Sequence, residues 1–177
     1  MKTILIPFLL LLFFTIPPGL AKNVQAQATA DYDIQANIIY RFTKYIDWPG
    51  AKKTGDFIIG IVGESPLTDA LKTFTAGKMA GNRKIIIKRL SPSADLFDCE
   101  ILFISEEESS SLRKIVMRTA GISILIVTES DGLAQKGACI NFAIVADRLK
   151  LEINKNNIEQ RNLSIASELL QLGKVVK

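Results

Sequence analysis

Four compact apolar runs, spaced by segments of helical character, constrain this chain most: FIIGIVG at 57–63, RKIIIKRL at 83–90, EILFIS at 100–105 and GISILIVTE at 121–129. Each run is nearly continuous rather than alternating. That is how a strand reads when both faces of its sheet are covered. Between the first two, Ser65 can cap a helix, Pro66 suits its first position, and Leu67, Ala70, Leu71 and Phe74 recur on one face. A second helical segment runs from about Ser109 to Thr119, with Leu112, Ile115 and Val116 apolar. Strand and helix alternate with short links, so parallel strands joined by right-handed crossovers are the default. ACINFAIV at 138–145 and RLKLEIN at 148–154 flank a tight link and predict an antiparallel hairpin. Residues 156–172, with Ile158, Ile165, Leu169, Leu170 and Leu172, predict a closing helix. The expected fold is a compact three-layer α/β domain. It has a mostly parallel sheet, flanking helices, and a C-terminal β-hairpin plus helix.

The chain before this domain reads differently. Lys2 precedes an apolar run from Ile4 to Ile16, then Pro17, Pro18 and Gly19, then a polar stretch closing on Ala26-Gln27-Ala28. A positive start, an apolar segment and small residues at the end are the build of a secretory signal peptide. The run is short for a membrane span, which needs about 20 residues. Residues 1–28 are therefore read as a signal peptide and 29–177 as one exported domain. Loss of Lys2 and Lys22 with the signal lowers the formal charge from +4 by two. So mild a balance points to neither nucleic acid nor a basic membrane face.

Histidine is absent, which removes Ser-His-Asp and Cys-His catalysis and imidazole metal ligation. Cys99 and Cys139 are the only cysteines. An exported chain can pair them, but each precedes an apolar run and also fits a small buried side chain. GIVGESP places Gly63, Glu64 and Ser65 after a strand, where free backbone N–H groups could meet an anion, although no phosphate-loop spacing follows. Glu129 and Asp131 follow the fourth strand, where open α/β sheets take ligands. These loops define an alternative reading, a small-ligand sensor. Glu64 with Glu106 to Glu108 defines another, a metal-assisted hydrolase. No nucleophile stands with a base and no cofactor motif occurs, so the chain is read as a non-enzyme without a cofactor.

Segment 33–46 predicts a helix with Ile34, Ile38 and Phe42 inward. Tyr40, Tyr45 and Trp48, beside Arg41 and Lys44, exceed what one narrow face can bury, and such residues are common interface anchors. They predict a surface for a partner or a second copy of the chain. A second surface is expected around Glu152 and Ile158.

IIYRFTKYIDWP resembles the opening helix of the YfiR-like family of exported bacterial proteins. FIIGIVGESPLTDAL, CEILFISEEE, ILIVTESDGLAQKGACINFAI and LKLEINKNNIEQRNLSIASELLQLGKVV resemble its later segments in order and spacing. The resemblance implies a compact α/β domain, often dimeric. It also implies a periplasmic regulator that binds the sensory part of an inner-membrane diguanylate cyclase and keeps cyclic-di-GMP low, with an outer-membrane lipoprotein able to draw it away. The family implies no catalytic residues. Its best-understood member has two disulfides, a clamp that two cysteines cannot reproduce.

Overall fold

The computed structural model describes residues 18–50, 53–146 and 148–177, with side chains from residue 31 onward. Most of the expected signal segment lies outside the described residues. In chain order the elements are α1 (Pro18–Tyr45), β1 (Ile46–Asp47), β2 (Phe57–Val62), α2 (Leu67–Thr75), β3 (Met79–Ala80) and β4 (Arg83–Leu90). Then come β5 (Ile101–Ile104), α3 (Leu112–Arg118), β6 (Leu125–Thr128), β7 (Ile140–Val145) and β8 (Arg148–Asn154). The chain closes with α4 (Lys155–Glu159), β9 (Ser164–Ile165), α5 (Ser167–Leu170) and β10 (Lys174–Val176).

Eight strands form one sheet in the order β10-β8-β7-β6-β5-β2-β4-β3. The run β4-β2-β5-β6-β7 is parallel throughout. Its order is the 2-1-3-4-5 of a doubly wound sheet, with the switch point between β2 and β5. From there the chain crosses to β4 through α2 in one direction and to β6 through α3 in the other. Right-handed crossovers therefore place α2 and α3 on opposite faces. α1 packs against α2. β7 and β8 form the predicted hairpin, from Ile140 opposite Ile153 to Val145 opposite Arg148.

The continuous apolar runs become the core. All of β5 and β6 is buried, and Ile59, Ile61, Leu102, Phe103 and Ile126 have no exposed surface. Each such side chain contributes about 1.5–3 kcal/mol by leaving water. One charged pair is sealed at the amino ends of the strands. Arg83 Nη2 lies 2.6 Å from Glu100 Oε1, with the two side chains 14% and 5% exposed. Glu100 Oε2 also accepts from the Ile58 amide at 2.7 Å, so each carboxylate oxygen has a donor. The Glu100 carbonyl accepts from Trp48 Nε1 at 3.2 Å, and the Trp48 ring meets Phe57 edge-on.

Several expectations are corrected. Helix α1 already includes Pro18, the first described residue, and so extends well before Asp33, where the helix was expected to begin. Its inward face is Gln35, Ala36, Ile39 and Phe42, followed by Ile46, whereas Ile34 is 49% exposed. The apolar stripe is broad, and the buried sector is turned by about one residue from the one expected. Segment 156–172 is not a helix. Asn162 takes a left-handed φ of 56°, the chain then pairs Ile165 with Ile46 and Ser164 with Asp47, and α5 is short. The chain finally returns as β10, parallel to β8. The helix expected from Ser109 begins as a 3-10 turn at Glu106, and its α-helical part is Leu112–Arg118.

Of the two readings of the cysteines, the disulfide is overturned: Cys99 and Cys139 are both buried thiols. Cys99 lies two residues before β5 and Cys139 one residue before β7, with β6 between those strands. Two strand spacings put them about 10 Å apart sideways. A disulfide requires Cα atoms within about 4.4–6.8 Å. Burial pushes the Cys139 thiol up to about 11, so it stays protonated.

Candidate functional site

The clearest feature open to a partner is an apolar trench between α1 and the β8 side of the sheet. One flank of α1 gives Ile34, Asn37, Ile38 and Arg41, four residues that share a side at three- and four-residue spacing. β8 gives Leu149, Lys150 and Leu151, and Leu172 closes the end from the turn before β10. The cavity holds about 390 Å³. It continues into a second hollow of about 470 Å³, which shares Lys150, Leu151 and Leu172 and adds Val145, Glu152 and Lys174. Ile144, Val145, Leu172 and Val175 are all more than half exposed. The last two residues of β7 project beyond the covered sheet, and β10 leaves one edge unpaired. Arg41, Lys150 and Lys174 line a strip with an apolar floor. Exposed apolar area rimmed by polar groups is the usual form of a protein contact surface.

The residues expected to form two contact surfaces are differently placed. Arg41 stands on the trench, hydrogen-bonded through Nε to Asn37 Oδ1 at 3.3 Å. Tyr40 and Lys44 lie on another flank of α1, toward α2. The Tyr40 ring meets Phe74 at 5.9 Å, and the Lys44 ammonium sits 5.1 Å from its centroid. Tyr45 is half-buried against the core, and its carbonyl accepts from the Ala166 amide at 2.9 Å. Trp48 is 5% exposed and Ile158 has no exposed surface, so neither is available to a partner in this fold. Glu152 is half-buried on β8 and accepts from Asn141 Nδ2 at 3.0 Å. Ile34 and Leu172 were absent from the expected surface. Each had been assigned to an apolar helix face, and only the true register of α1 and the break at Asn162 expose them.

The expected ligand loops do converge, at the carboxyl ends of β2, β5 and β6. Gly63 has a φ of +86°, and a Cβ there would come within 2.1 Å of Ser105 Oγ. Glycine is required on both counts, conformation and space. Ser65 Oγ accepts from the Leu67 amide at 3.2 Å. Glu64 pairs with Arg89 at the surface, and its amide donates to Glu107 Oε2 at 3.3 Å. Glu129 Oε1 accepts from the Glu106 amide at 3.2 Å. Gln35 and Tyr32 of α1 also contact Glu129. Burial, with the nearby Glu106 charge, holds the Glu129 carboxyl above its ordinary value despite these hydrogen bonds. Burial and the Glu129 charge likewise raise the Tyr32 phenol. Asp131 is exposed, two residues beyond Glu129. α1 therefore lies across the position where doubly wound sheets take ligands. Among the described residues, no group of three or more His, Cys, Asp or Glu is placed to hold a metal ion.

Fold and surface together define a small α/β module with a prominent contact trench. The family profile described as YfiR/HmsC-like matches residues 32–174, and the chain belongs to that family. The family is associated with periplasmic regulatory roles. No curated protein matches the chain.

Proposed function

We propose that the chain is a periplasmic regulator that acts by surface contact and catalyses no reaction. It seats the apolar trench on the periplasmic sensory part of an inner-membrane diguanylate cyclase and keeps cyclic-di-GMP output low. Family membership supports the partner class. The observation that carries the docking surface is the trench lined by Ile34, Ile38, Leu149 and Leu172 beside Arg41 and Lys150, with Ile34 and Leu172 about half exposed. Residues 1–28 direct export in this reading, and cleavage there leaves α1 to begin close to its packed segment. A second copy of the chain, and an outer-membrane lipoprotein that draws the regulator away, are further partners consistent with the same trench.

The test is the double variant Ile34→Asp with Leu172→Asp, expressed with its export segment in the native host. Two charges in the trench are expected to abolish cyclase capture and raise cyclic-di-GMP while the melting temperature stays near that of the parent. Unchanged capture and unchanged cyclic-di-GMP from a folded double variant would refute the trench as the docking surface.

A second reading is favoured by one observation. Gln35 Oε1, Thr68 Oγ1, Ser105 Oγ and Ser130 Oγ are buried near the strand ends without a hydrogen-bond partner. Buried polar atoms ordinarily have one. A small polar ligand entering beneath the Tyr32–Gln35 part of α1 would satisfy them and make the chain a sensor. Thermal stabilisation by one metabolite, lost in Glu129→Gln, would support that reading.

A further inference from the structure

Arg161, in the turn between α4 and β9, is 5% exposed. Its Nη1 donates to the Thr119 carbonyl and to Thr119 Oγ1, both at 3.1 Å, at the carboxyl end of α3. The neutral Cys139 thiol is its other polar neighbour. No carboxylate forms an ion pair with it among the described residues; the nearest acid in sequence, Glu159, is paired with Lys155 at 3.2 Å. This sets Arg161 apart from Arg83, the other enclosed arginine, which has Glu100 beside it. A buried charge without a counter-ion is costly, and proteins ordinarily pair it. Burial disfavours the charged form of this guanidinium, which an anion would restore.

Arg161 also lines a pocket. Gly121, Gly137, Asn157 and Gln160 surround it, enclosing about 160 Å³. A Cβ on Gly121 would meet nothing within 4 Å, so the mouth on that side is open. Gly137 is held at a φ of +117°, and a Cβ there would press on Val116 at 3.0 Å. The space falls short of the roughly 300–1,000 Å³ of pockets for drug-sized ligands. It exceeds the roughly 30 Å³ share of one water several-fold. A planar guanidinium matches the two oxygens of a phosphate or carboxylate group.

We infer that the pocket between α3 and α4 is a binding site for one small oxyanion, a phosphate or carboxylate group, with Arg161 as its counter-ion. The site is separate from the trench and does not depend on it. Bound anion would tie the turn after α4 to the end of α3, two segments joined here through Thr119.

The test titrates the intact exported domain, at constant ionic strength, with inorganic phosphate and in a parallel arm with acetate. Backbone amide NMR shifts at Gly121 and Gly137 are read. Saturable shifts at these two amides with either anion are expected in the parent protein. Gln160→Glu keeps Arg161 and its bonds to Thr119 but puts a carboxylate at the rim. It is expected to weaken binding at least tenfold. Arg161→Met is expected to remove binding, and if that variant fails to fold, Gln160→Glu alone decides. No saturable shift at Gly121 and Gly137 with either anion, or unaltered affinity in Gln160→Glu, would overturn the assignment.

Discussion

Strands β2, β5 and β6 bury nearly all their apolar side chains, whereas the C-terminal segment from Ile144 divides its own: Leu151, Ile153, Ile158, Leu163 and Leu169 are buried and others are left in solvent. In the segment from Ile144 onward, Ile144, Val145, Leu172 and Val175 stay more than half exposed, on short strands and turns. The first region holds the fold together. The second also keeps apolar surface that folding does not use, and that is what a contact surface requires.

The contrast sets an order of expected effects. Phe103, without exposed surface in the middle of the sheet, gives the largest. Phe103→Ala is expected to cost about 3–5 kcal/mol in urea unfolding, from lost transfer energy and the cavity left behind. Arg83→Met comes next. It strands the Glu100 carboxylate, 5% exposed, beside the core. A loss of about 3 kcal/mol is expected, the cost of breaking a buried pair by removing one partner. If Arg83→Met were as mild as a surface change, the amino ends of the strands would be wetter than the packing describes.

A smaller effect is expected at the carboxyl ends. The Glu129 carboxyl is held above its ordinary value by burial, so the folded state binds its proton more tightly than the unfolded chain does. Stability must then fall as pH rises from the ordinary value of 4.5 through the higher folded value. Glu129→Gln is expected to flatten that fall, checked by melting temperatures across mildly acidic pH. An identical pH profile for both proteins would show that the carboxyl is wetter than its burial indicates. The smallest effect belongs to the trench. Leu172→Ala is expected to change stability by no more than about 0.5 kcal/mol, as for surface positions generally. A loss comparable to that of Phe103→Ala would make Leu172 a core residue and erase the distinction between the regions.

The same division explains what could be read from sequence. β2, β4, β5 and β6 were legible because dense β-branched runs between turns have one simple reading. The β7–β8 hairpin was legible from its tight link. α1 was legible as a helix, but not in rotation. Ile34, Ile38, Ile39 and Phe42 cover a wide sector, and only packing on α2 and the sheet selects Ile39 over Ile34. The C-terminal helix was misread because Ile158, Ile165 and Leu169 keep helical spacing across Asn162, whose left-handed turn breaks the chain there. Two-residue strands such as β1 and β9 carry no pattern of their own. The ligand loops were found by their place after strands, whereas the trench was missed because Ile34 and Leu172 were assigned to helix faces. Arg161 gave no signal, since nothing in QRNLS separates an arginine enclosed by α3 from one in solvent.

The central claim is tested most directly by photo-crosslinking in living cells. A photoreactive residue is placed at Leu172 in the trench and, separately, at Met117 on α3, which is 63% exposed. The account predicts that Leu172 captures the periplasmic part of a membrane diguanylate cyclase and that Met117 does not. Equal capture from both positions, or capture from Met117 alone, would contradict it.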